Sequence, residues 1–157
     1  MNSIQRYEIT TRKVTIEQGN FKHAITDSEL AASVLRELLA LEAQEVFGAL
    51  LLNASNRILG YHEVARGGID SCQVDARVLF RAALLVGASS VIVAHNHPSG
   101  QVEPSSEDIR LTMRLVAAGN MIGIRVLDHI IVSDNPVTYS FASHRPSLFL
   151  SNKQELP

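Results

Sequence analysis

Two histidines one residue apart, His95 and His97, close the string VIVAHNHPSG at residues 91–100. In an extended strand residues i and i+2 face the same side, so both imidazoles project together while Asn96 points away. Their Cα atoms then lie about 6.6 Å apart, close enough for both rings to converge on one metal ion at about 2.0–2.1 Å. The end of a buried strand suits such a pair, because open coordination positions need a rim, and Pro98 and Gly100 turn the chain out there. A catalytic zinc needs a third protein ligand and a position left for water. Beyond His97 come seven residues and then Ser105, and beyond two more comes Asp108. The loop PSGQVEP can fold back, which lets Asp108 offer its carboxylate to the strand end and Ser105 bring its hydroxyl to the same space. The same Ser105-x-x-Asp108 spacing is a good helix cap, and that role is compatible with metal binding.

These residues need a scaffold, and the chain alternates strands with helices. RYEITTRKVTIEQGN suggests one or two strands at the amino end. Thr26 and Glu29 have capping-box spacing, and Leu30, Val34, Leu38 and Leu41 follow on one helical face. EVFGALLLNASNRILGYHEV, residues 45–64, predicts a β-hairpin turning at Asn53–Asn56. DARVLFRAALLVGA predicts a helix with Asp75 as N-cap and Gly87 as stop. A further helix over SSEDIRLTMRLVAAGN places Ile109, Thr112, Met113, Val116 and Ala117 on one face and ends near Gly119. IGIRVLDHIIV is another buried strand, VTYSFA a last one, and SHRPSLFLSNKQELP an appended tail. The expected architecture is a layered α/β domain with a mixed sheet.

A chain of 157 residues fits one domain. Apolar residues make up 46% and charged residues 19%, an ordinary soluble composition, and no apolar run is long enough to span a bilayer. The one cysteine, Cys72, can form neither an intramolecular disulfide nor a multi-cysteine zinc site, which points to the cytoplasm. A net charge of −2 gives no overall field toward nucleic acid.

The string H-x-H, seven residues, S, two residues, D resembles the JAMM motif of the MPN+ metalloproteases. HNHPSG, PSSED with its following Thr112, and DHIIV resemble more closely the RadC-like JAB branch over residues 35–143. The resemblance implies a layered α-β-α, cytidine-deaminase-like fold for residues 26–143, with 1–25 and 144–157 as extensions. It implies that His95, His97 and Asp108 bind Zn2+, that Ser105 assists the catalytic water and oxyanion, and that Glu45 is the general acid/base. Glu42 and Glu63 are fallbacks for that last role. Asp128-His129 matches a family pair, as a support of the site or as a core histidine. His23, His62 and His144 have no partner spacing, and VARGGIDSCQVDAR departs from the family's corresponding loop. The implied activity is hydrolysis of a peptide or isopeptide bond in a protein or peptide substrate. The alternatives are a non-catalytic MPN scaffold and a DNA-repair-associated factor, the second resting on the family label alone. Longer members carry a helix-hairpin-helix region before the JAB domain, and the expectation here is the short form without it. No signal bears on oligomeric state.

Overall fold

The structure, a computed structural model, describes residues 24–67 and 74–150. The elements are α1 (Ser28–Leu39), β1 (Val46–Leu52), β2 (Ile58–Arg66), α2 (Ala76–Leu85), β3 (Ser90–Asn96), α3 (Ser106–Ile122), β4 (Arg125–Val132), β5 (Tyr139–Ser140) and α4 (Phe141–His144), followed by a 3-10 turn over Pro146–Phe149. Among the described residues the strands form one five-stranded sheet in the order β2-β1-β3-β4-β5. Only β3 and β4 are parallel, joined through α3, and the other neighbours are antiparallel. The sheet is therefore mixed, as the hairpin reading requires.

Period-two alternation along the central strands builds two cores. Val46, Leu50, Leu52, Ile92, Ala94, Ile130 and Val132 pack with α1 on one face. Phe47, Ala49, Leu51, Val91, Val93 and Val126 pack with α2 and α3 on the other. The result is the expected α-β-α layering. The hairpin turns as read: the Asn53 side chain accepts from Ser55 N–H and Arg57 N–H, and Asn56 takes a left-handed φ of 55°. Asp75 caps α2, and Gly87 follows its end with a φ of 69°.

Expectations for α1, α3 and the last strand need correction. The N-cap of α1 is Asp27, which accepts from Leu30 N–H, while Thr26 hydrogen-bonds Asp27. The helix stops at Leu39, leaving Leu41 95% exposed. In α3 the buried face carries Asp108, Leu111, Thr112, Leu115, Val116 and Gly119, whereas Met113 is 53% exposed and Ala117 also faces solvent. That helix runs past Gly119 to Ile122, and Gly123 supplies the left-handed cap with φ 75°. The last strand is only two residues long before α4, and Phe149 beyond it packs against the α2/α3 core. The amino-terminal strand reading and Cys72 lie outside the described residues.

Gly119 sits inside α3 because the chain returns close beside it. A Cβ there would stand 2.4 Å from the Ile124 carbonyl oxygen and 3.2 Å from the Phe80 ring. Gly119→Ala is expected to destabilise the chain by about 1–3 kcal/mol despite alanine's better helix propensity. Urea unfolding measures it, and a gain in stability would contradict the packing described.

Candidate metal centre

The strand end places the two histidines as the period predicts. His95 is the second-last residue of β3, fully buried, and His97 follows the strand, held by its N–H to the Val132 carbonyl. Their rings tilt toward each other with centroids 4.7 Å apart, and the Nε2 atoms are 2.9 Å apart. His97 Nδ1 lies 2.6 Å from the Gln101 carbonyl, which can only accept, so Nδ1 carries the hydrogen. In the neutral ring the His97 lone pair is therefore on Nε2, facing His95.

Asp108 enters from the first turn of α3, and the cap places it. Ser105 N–H and the Ser105 hydroxyl both donate to Asp108 Oδ2 at 2.7 Å, and Asp108 N–H returns a bond to Ser105 Oγ. Asp108 Oδ1 is left 3.4 Å from His95 Nε2, buried and without a hydrogen-bond partner among the described residues. A carboxylate oxygen in that condition costs free energy unless a cation or a donor meets it.

Glu45 precedes β1, roughly fifty residues earlier in the chain. The antiparallel register sets Phe47 opposite His95, which brings Glu45 to the same end of the sheet. Glu45 Oε1 lies 3.9 Å from His95 Nε2. Ligand-type atoms of Glu45, His95 and His97 lie within 4.8 Å of one another, a group that could hold a metal ion. The donor set of imidazole nitrogens and carboxylate oxygens suits zinc, and the Asp108 oxygen without a partner beside it fits a cation at this point.

Asn96, pointing away from the imidazoles, has its own task. Its Oδ1 accepts from Val46 N–H at 2.7 Å, and its Nδ2 donates to the Glu42 and Gln44 carbonyls at 3.1 Å each. Gly67 N–H meets the Glu45 carbonyl at 2.9 Å. The backbone on both sides of Glu45 is thus clamped. Asn96→Ala should cost about 2–4 kcal/mol, since it removes these bonds and strands the Val46 N–H. Denaturant titration tests it, and a change below about 0.5 kcal/mol would contradict the clamp.

The fallback carboxylates are engaged elsewhere: Arg66 pairs with Glu42 at 2.6 Å and with Glu63 at 2.8 Å. His144 bonds the Ser140 carbonyl and stacks on Tyr139, away from the centre. His23 lies outside the described residues. Asp128 accepts from Ser28, Ser140, Ala142 N–H and its neighbour His129 N–H, tying α1, β4 and α4 together.

His129, by contrast, meets the site. Its Nε2 is 2.8 Å from His95 Nδ1, and its ring stacks on Phe141 with centroids 4.7 Å apart and 7° between planes. Phe47 closes the other side against both rings. Burial pushes the His95 imidazole down to about 4, with Asp108 opposing and His97 adding to the depression. Burial, then His95 and His97, hold His129 well below its ordinary value. Both rings are neutral at physiological pH, the form in which an imidazole can ligate a metal.

Among the described residues no helix is long and apolar enough to cross a membrane. The RadC-like JAB domain family matches residues 25–146. A UPF0758 protein of Desulforudis audaxviator is 41% identical over 127 residues, 81% of this chain and 55% of that protein. A UPF0758 protein of Porphyromonas gingivalis is 37% identical over 132 residues, 84% of this chain and 58% of its own length. Protein TTE0897 of the same designation, from Caldanaerobacter subterraneus, is 40% identical over 128 residues, 81% of this chain and 54% of that protein. The chain spans about half the length of the curated relatives it matches.

Proposed function

The chain belongs to the RadC-like JAB domain family, and from that membership and the site's geometry we propose that it is a zinc-dependent hydrolase of JAMM type. Its substrate in this reading is a peptide or isopeptide bond in a protein or peptide. In this reading His95, His97 and Asp108 hold the metal, with Asp108 Oδ1 beside His95 Nε2 at 3.4 Å. A bound zinc supplies a Lewis acid and lowers the pKa of water toward about 7.

The chain's own groups do the rest. Glu45 takes a proton from the attacking water and hands it to the leaving amine, the work of a positioned general base and acid. Phe47 and Phe141 wall the deep side of the centre with apolar rings, which strengthens every electrostatic interaction there. Ser105 orients Asp108 through its hydroxyl and its N–H. When the hydroxyl turns toward the developing oxyanion, the N–H still holds the carboxylate, so the two roles are compatible.

The observation that most supports this reading is the buried Asp108 oxygen, without a partner among the described residues, 3.4 Å from a His95 Nε2 that lies 2.9 Å from His97 Nε2. The test is cleavage of a quenched-fluorescence peptide and isopeptide library by the zinc-loaded chain. Cleavage should stop on chelation and return on adding zinc. A chain holding one zinc that cleaves nothing in such a library would count against hydrolysis and favour a scaffold.

A further inference from the structure

Hydrogen bonds behind the metal centre run in one direction, and the direction can be deduced. Thr112 Oγ1 donates to the Asp108 main-chain carbonyl at 2.7 Å, the back-bond open to a threonine four residues on in a helix. A carbonyl can only accept, so the single hydroxyl hydrogen is committed there. His129 Nδ1, 2.7 Å from the same oxygen, must therefore be the donor. With its hydrogen on Nδ1, neutral His129 has a lone pair on Nε2. His95 Nδ1, 2.8 Å away, must in turn donate to it. Neutral His95 is left with its lone pair on Nε2, the atom that faces His97 Nε2 at 2.9 Å and Asp108 Oδ1 at 3.4 Å.

The chain of bonds begins on Asp108 and leads back to face it. Its carbonyl sets Thr112, Thr112 sets His129, His129 sets His95, and His95 faces the carboxylate of Asp108. The α3 helix supplies both ends, and the parallel register of β3 and β4, with Val93 opposite His129, brings the middle into place. All four residues are buried to within 1% of full, so water does not compete for these bonds.

We propose that Thr112 and His129 are positioning residues of the metal centre: they lock His95 in the Nδ1–H tautomer and so aim its Nε2 lone pair at the ion. Which ring nitrogen carries the proton is set by the partner of the other one, and partners behind a ligand govern metal affinity. The inference rests on the metal-site reading above, yet the tautomer can be measured without metal.

The experiment is long-range proton–nitrogen NMR of the imidazoles in the metal-free full chain, beside zinc affinity by chelator competition. The wild-type chain should show the His95 hydrogen on Nδ1. Thr112→Val keeps the side chain's shape and removes the hydroxyl. It should give a mixture of His95 tautomers and a zinc affinity about 10–100-fold weaker, whereas Thr112→Ser should stay near wild type on both readouts. His129→Phe fills the same slot and removes both nitrogens, and its zinc affinity should fall as far. A His95 hydrogen on Nε2 in the wild type would overturn the relay, with no variant needed. So would unchanged affinity and tautomer in Thr112→Val. A wild-type chain that takes up no zinc would instead overturn the metal-site reading, and the tautomer would still decide the relay.

Discussion

Glu45→Gln is expected to give a folded chain that binds zinc as the wild type does and hydrolyses its substrate about 10²–10⁴-fold more slowly. Glutamine keeps the shape and hydrogen-bonding of the side chain but cannot take up a proton at neutral pH. The loss corresponds to about 3–5 kcal/mol of transition-state stabilisation. The backbone around position 45 is held by Asn96 and Gly67 independently of the side chain, so the fold should be indifferent to the change. His95, His97 and Asp108 remain, so metal content should be indifferent too. Single-turnover cleavage rates with parallel zinc determination decide it. Wild-type rates in a zinc-loaded Glu45→Gln chain would remove Glu45 from the mechanism, and loss of zinc would make it a ligand.

Phe141→Ala should produce the largest loss of stability among the substitutions considered, about 3–5 kcal/mol. Phe141 is fully buried, stacks flat on His129 and meets Tyr139 edge-on at 5.1 Å. Truncation opens a cavity between β4 and the chain's last described elements, and frees the ring that bonds His95. For a domain of this size the melting temperature should fall roughly 6–20 °C. Chemical denaturation of the two proteins side by side checks the value, and a loss under about 1 kcal/mol would mean that the slot collapses without consequence. Zinc affinity should drop as well, because His129 loses one wall.

What could be read in the sequence follows the range of the interactions. His95 and His97 obey a local rule, the two-residue period of a strand. Ser105 and Asp108 obey another, the spacing of a capping box, and the structure makes that box in both directions. Layering and the hairpin were equally legible, because apolar alternation and the Asn53–Asn56 turn are local signals. Glu45 carried no local signal for chemistry. Its nearness to His95 depends on the antiparallel register between β1 and β3, and only the family resemblance pointed to it. His129 depends likewise on a register between distant strands.

The buried face of α3 departs from the apolar pattern for a related reason. A helix is read by its apolar residues, which favoured Met113 and Ala117. Thr112 and Val116 do face inward as read, but the same face also carries Asp108 and Gly119, which look like surface until the cap at Ser105 and the close return at Ile124 are known. Leu111 and Leu115 complete that face in place of Met113 and Ala117. At α1 two residues compete, since Thr26 and Asp27 are both good caps and the bond to Leu30 N–H belongs to Asp27.

Elemental analysis of the full chain purified without chelators, beside His97→Ala, decides whether this strand end holds a metal. About one zinc per wild-type chain is expected, and its loss in the variant, because His97 Nε2 is one of the proposed ligand atoms. A wild-type chain that holds no zinc even after incubation with the metal would contradict the metal-site reading.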